Sequence, residues 1–121
     1  MTTLLYLFDL RDGIDPADYE DWATTVDLPR LRALPSVRSY RILRVDAPSG
    51  QEAAATAPAG RPRYVEVLDV ASAEQFTRDL AQPGPAEVAA AFRRYADTPT
   101  VLACTELVAT PDDVAPAAQT A

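Results

Sequence analysis

Histidine, lysine and asparagine do not occur in this 121-residue chain. Without histidine, the side chain that most often serves as general base, as zinc ligand and as proximal haem ligand is missing. Without lysine, Schiff-base chemistry is excluded. All eleven cations are arginines, set against eighteen acids, and the formal net charge is -7. Such a balance opposes phosphate contact, so no nucleic-acid partner is expected. A single cysteine, Cys104, excludes an internal disulfide and fits a cytoplasmic protein. The four glycines are scattered and form no phosphate-cradling loop, so no nucleotide or flavin cofactor is expected. Asp112 and Asp113 are adjacent carboxylates without further ligands, and no metal site is predicted there or elsewhere. No apolar run approaches the eighteen or so residues of a membrane span, and no signal peptide is visible.

What is present suits one globular domain, with 48% hydrophobic residues. Leu4 to Leu10 reads as a first strand, with Leu4, Tyr6, Phe8 and Leu10 on one face and Leu5 and Leu7 on the other. Both faces are apolar, so the strand needs cover on both sides. Val37 to Val45 reads as a second strand, placing Tyr40, Ile42 and Arg44 opposite Val37, Ser39, Arg41, Leu43 and Val45. Tyr64 to Val70 is a third, with Tyr64, Glu66, Leu68 and Val70 sharing a face. Ser72-Ala-Glu-Gln75 opens a short helix as a capping box, and Pro83-Gly84-Pro85 ends it. A further helix runs from Pro85 to Ala96, and Thr100 to Val108 is the last strand. Residues 46–62, rich in Ala, Pro and Gly, read as a flexible connection, and 109–121 as a disordered tail.

The stretch from Asp15 to Val37 organises the rest. Asp15 is an N-cap candidate with Pro16 at the first helical position, and Tyr19, Trp22, Ala23 and Val26 recur at helical steps. Leu28-Pro29 then predicts a break or kink, because proline removes the hydrogen bond to the carbonyl of Thr25 and crowds the preceding turn. Asp27 sits at that break. It reads either as a cap for the second half-helix or as a functional carboxylate aimed at a cavity.

The resulting order, β-α-β-β-α(α)-β over residues 1–108, predicts an α+β, ferredoxin-like split βαβ sheet. The second apolar face of strand one predicts sheet-to-sheet packing of two copies, a homodimeric α+β barrel. A ligand would then lie between each sheet and its helices, or inside the barrel.

The run Tyr19-Glu-Asp-Trp22, Val26-Asp27-Leu28-Pro29 and Leu34-Pro35-Ser36-Val37, followed by Tyr64-Val-Glu66-Val, resembles the RedY-like proteins, the HapK family. The likeness covers roughly residues 3–108, without the 46–62 insert. It implies a dimeric α+β barrel working in prodigiosin-type or bisindole biosynthesis. More distantly the chain is similar to EthD-like barrels, which tend to carry a histidine where this chain has Asp27.

Asp27 and Glu66 are the candidate catalytic pair. Trp22, Val26 and Leu31 would desolvate Asp27 and raise its pKa, as acid–base work requires. Glu66 lies mid-strand, where the alternative is an ion pair with Arg41 or Arg44. Tyr6, Phe8, Trp22, Tyr40, Arg41 and Tyr64 are the candidate substrate-binding residues, the aromatics offering stacking walls to a small aromatic substrate. Cys104 is expected to be a buried core thiol, and the Arg30-Arg32 and Arg93-Arg94 pairs to be solvated helix faces. Cofactor-free cyclisation, dehydration, tautomerisation or hydrolysis, a cofactor-free monooxygenation, and simple carriage of an unstable intermediate all suit this set.

Overall fold

The computed structural model describes residues 1–46 and 63–108. Strand β1 (Thr2–Phe8) is followed by helix α1 (Pro16–Trp22), a π-helical turn (Ala23–Asp27) and helix α2 (Leu28–Arg32). Then come β2 (Val37–Arg44), β3 (Tyr64–Val70), α3 (Ala73–Leu80), α4 (Pro83–Tyr95) and β4 (Thr100–Cys104). The four strands form one antiparallel sheet in the order β2-β3-β1-β4. This is the ferredoxin-like α+β arrangement. The expected 46–62 connection, apart from Asp46, and the 109–121 tail lie outside the described residues.

Alternation decides what each face meets. Leu4, Tyr6 and Phe8 stand opposite Leu68, Glu66 and Tyr64 across the β1/β3 ladder, and Tyr40 and Ile42 continue that face on β2. The side chains there form two apolar clusters, one around Leu4, Tyr40, Leu68, Phe76 and Val88, the other around Phe8, Tyr19, Tyr64 and Ala96. Tyr6, Trp22 and Ile42 pack against both. Each large side chain buried there contributes roughly 1.5–3 kcal/mol relative to exposure. The other face carries Leu5, Leu7, Val65, Val67, Leu43 and Leu102, with Leu43 and Leu102 exposed.

Several boundaries differ from the sequence expectation. Strand β1 stops at Phe8, and Leu10 makes only an isolated bridge to Ala96, because the chain turns there to bond Arg11 N–H to the Tyr95 carbonyl. Strand β4 stops at Cys104 rather than Val108. Pro83 starts α4 rather than ending α3; proline at a first helical position lacks only a donor that has no partner anyway. A bulge between Val37 and Ser39 turns Val37 inward, against the simple alternation that put it with Arg41. Cys104 is not buried: β4 is an edge strand, and the thiol is half-exposed beside Thr3 on the outer face.

The largest difference is at Pro29, where the helix is not broken. Asp15 caps α1 through Ala17 N–H, and the chain stays helical to Arg32 by widening over Ala23–Asp27, where Leu28 N–H reaches back to the Ala23 carbonyl. The wide turn makes room for the proline ring. The buried positions explain its placement: Tyr19, Ala23, Asp27 and Leu31 recur strictly every four residues. On an α-helix, four-residue steps drift by about 40° each, and a π-turn takes up that drift. Among the described residues no helix is long and apolar enough to cross a membrane.

Candidate active site

The wide turn aims Asp27 at the sheet. Its carboxylate, 3% exposed, makes no capping bond to α2; instead it accepts a hydrogen bond from the Tyr40 hydroxyl at 2.7 Å. The capping reading of Asp27 is therefore set aside by geometry. Glu66, on β3, is 5% exposed and lies cross-strand from Tyr6 and Ile42, the two sheet residues that pack against both apolar clusters. Its Oε2 is buried with no hydrogen-bond partner. Neither arginine expected to pair with it does so. Arg44 is engaged bidentately with Glu20, at 2.8 and 2.9 Å, and Arg41 stands opposite Val67 on the other face of the sheet.

Asp27, Glu66, Tyr40 and Tyr6 line one cavity of about 70 Å³, closed by apolar side chains of α2, α3, α4 and β3, among them Leu31, Phe76, Val88 and Phe92. It has room for a few waters and is smaller than a drug-sized ligand site of several hundred Å³. Burial in this apolar enclosure disfavours both carboxylates. It pushes Asp27 up to about 6, against the Tyr40 hydrogen bond that favours the charge. Glu66 is pushed up to about 8, by burial first and by the Asp27 charge second. The phenols of Tyr40 and Tyr6 are raised for the same two reasons, burial and the neighbouring carboxylates. The proton states follow from the bonding: a phenol has one hydrogen, and Tyr40 gives it to Asp27. Asp27 is thus the acceptor and holds the charge, while Glu66, whose Oε2 has no partner and whose acidity is lowered by burial and by the Asp27 charge, keeps its proton.

A larger surface groove of about 380 Å³ lies over Glu20, Arg44 and Tyr64. Its carboxylate is held down to about 2 by hydrogen bonds from Arg44 and Tyr64 and has no proton to exchange near neutrality. The two carboxyls with raised proton affinity line the smaller cavity. Of the expected wall residues, Tyr6 and Tyr40 line it and the others do not. Phe8 stacks on Tyr64 at 5.7 Å within the second apolar cluster, Trp22 stacks on Tyr95 at 5.2 Å against that cluster, and Arg41 is on the outer face.

Sequence reasoning missed two things. One is Tyr40 as the partner of Asp27 rather than a stacking wall. The other is Tyr19, fully buried, with an unpartnered hydroxyl and a phenol raised by burial and by Glu66 and Asp27. The four-residue spacing from Tyr19 to Asp27 was the available signal. Among the described residues no group of acids and cysteine is placed to hold a metal ion.

The model of the family described as REDY-like protein HapK matches residues 2–107. Curated proteins give no match. Among solved structures, the chain is similar to HapK from Hahella chejuensis, with 26% identity and a TM-score of 0.72 over 91% of this chain and 96% of that one. It is also similar to SnoaB, a cofactor-independent oxygenase from Streptomyces nogalater, at 22% identity and TM-score 0.62 over 91% and 96%. A dimeric ferredoxin-like protein from Thermobifida fusca shares the fold at 19% identity and TM-score 0.60, over 87% and 90%.

Proposed function

The chain belongs to the REDY-like HapK family, and on that premise we propose a homodimeric, cofactor-independent enzyme of secondary-metabolite biosynthesis. It acts by acid–base chemistry on an aromatic, indole- or pyrrole-derived intermediate of a bisindole or prodigiosin-type pathway. The observation that carries this reading is the buried pair of carboxyls, one holding a hydrogen bond from Tyr40 and the other with an orphaned oxygen. Two acids pushed apart in proton affinity by their surroundings are what proton transfer in both directions requires.

Asp27, ionised, takes a proton from an acidic C–H or N–H of the substrate. Glu66, protonated, delivers one to a second substrate atom, giving a tautomer, or to a leaving hydroxyl, giving water and the dehydrated product. The proton then on Asp27 returns to Glu66, and the pair is reset without an external acid. Tyr40 holds Asp27 in place and stabilises its charge, and Tyr6 forms the aromatic wall. A cytoplasmic setting, read from the single cysteine, belongs to the same proposal.

Likeness to SnoaB supports a second reading within this class, a cofactor-free oxygenase whose first step is the same deprotonation by Asp27. A non-catalytic carrier uses the same cavity without turnover. EDTA-treated protein incubated with indole- or pyrrole-derived intermediates, with and without dioxygen, separates all three. Turnover without oxygen is the expected result, turnover only with oxygen selects the oxygenase, and stoichiometric binding without product selects the carrier.

A further inference from the structure

The acidic cavity is not the whole of the available space. Tyr6, Leu80, Ala89 and Phe92 line both it and a neighbouring groove of about 290 Å³, so the two compartments share a wall. Together they reach the lower end of small-molecule sites, on the order of 300 Å³. The outer compartment ends at Arg11, Arg93 and Asp97. The Arg11 backbone N–H bonds the Tyr95 carbonyl at 2.8 Å, and its guanidinium Nε donates to the Arg93 carbonyl at 2.6 Å. That anchors one guanidinium against the last turn of α4, whose Arg93 lines the same groove. Among the described residues neither guanidinium forms an ion pair, and the one carboxylate there leaves an excess of positive charge.

Polarity therefore runs one way across the two compartments: carboxyl groups line the inner one, a shared apolar and aromatic wall stands between, and arginines line the outer one. An anion is repelled from the inner end and attracted to the outer, where guanidinium forks match a carboxylate. Resting on the active-site reading above, we propose that the substrate is an aromatic carboxylic acid. Its carboxylate is held by Arg11 and Arg93, while its ring passes between Tyr6 and Phe92 towards Asp27 and Glu66.

The test uses two probes of nearly equal shape, indole-3-acetate and its neutral amide, titrated calorimetrically into the full chain at low salt. The acid is expected to bind about tenfold more tightly, the effect of one charge-assisted hydrogen bond pair. Arg93→Gln, whose side chain makes no hydrogen bond among the described residues, is expected to remove most of that preference with the melting temperature unchanged. Arg11→Gln with Arg93→Gln removes the rest and leaves amide affinity as it was. Asp27→Asn keeps or strengthens the preference. Loss of turnover in Asp27→Asn with no preference between probes leaves the active-site reading standing and overturns this one; the converse pattern does the reverse. Equal binding of acid and amide, a preference that survives both arginine substitutions, or binding of neither probe at millimolar concentration overturns the proposal.

Discussion

At the scale of single residues, Asp27 and Glu66 make opposite demands on pH. The proposed reaction needs Asp27 ionised and Glu66 protonated, so the rate is expected to form a bell between about 6 and 8. Glu66→Gln removes the titrating acid and with it the fall on the alkaline side; a profile unchanged in Glu66→Gln would remove Glu66 from proton transfer. Asp27→Asn preserves an acceptor for Tyr40 but no longer exchanges a proton. Turnover should fall by about a hundredfold or more with the melting temperature held or raised. Stability carries the same signature. Both groups titrate higher folded than unfolded, so their contribution is full below about pH 4 and is lost as pH rises through about 6 and 8. The wild-type melting temperature is expected to drop by several degrees between pH 5.5 and 8.5, and Glu66→Gln to flatten most of that drop in a calorimetric series. The apolar surroundings of Asp27 and Glu66 were legible in the sequence, because a carboxylate among apolar neighbours is costly without a reason. Tyr40 was not, since nothing local distinguishes a phenol that packs from one that also donates.

Among the elements, the helix from Pro16 to Arg32 gave the least away. Proline is read locally as a helix breaker, but the competing factor here is the four-residue spacing of buried side chains, which stretches from Tyr19 to Leu31. If that spacing sets the wide turn, Pro29→Ala should leave activity within about threefold. Deleting the exposed Thr25 should return the segment to an α-helix in which Asp27, then seven residues from Tyr19, stays within about 20° of the same face. The deletion variant should therefore keep Asp27 turned to the sheet and retain most of its turnover, with far-ultraviolet circular dichroism reporting a folded chain. Loss of turnover in Pro29→Ala would instead make proline the cause. Strands β1 and β3 were readable because alternation is a two-residue signal. The β2 bulge was not, since one extra residue between Val37 and Ser39 leaves no mark in composition.

For the whole molecule, the outer sheet face is where assembly is expected. Leu5, Leu7, Val65 and Val67 occupy its centre, half-buried, while Leu43 and Leu102 are exposed around them. A second copy covering this face is expected to give a species of twice 13.0 kDa by light scattering at micromolar concentration. Val67→Asp, placed at the centre of the face and away from the cavity, should yield a monomer. A wild-type monomer would contradict sheet-to-sheet pairing. Strand order was predictable from the split βαβ arrangement, since few topologies join these elements without crossing connections. A cavity between the sheet and its helices was among the expected places; its particular lining was not legible, because the walls come from β1, β2, β3, the π-helical turn, α2, α3 and α4, and adjacency between those segments is a property of packing rather than of any local run.

The wide turn also bears on how such a protein changes over generations. Backbone geometry, not the chemistry of the side chain, points position 27 into the cavity. A mutation that swaps its letter therefore tries a new reactive group at a fixed address, with the helix, the sheet and the neighbouring tyrosine left as they were. Evolution can explore new reactions here one codon at a time, and a laboratory selection started from Asp27→His or Asp27→Glu begins from the same advantage.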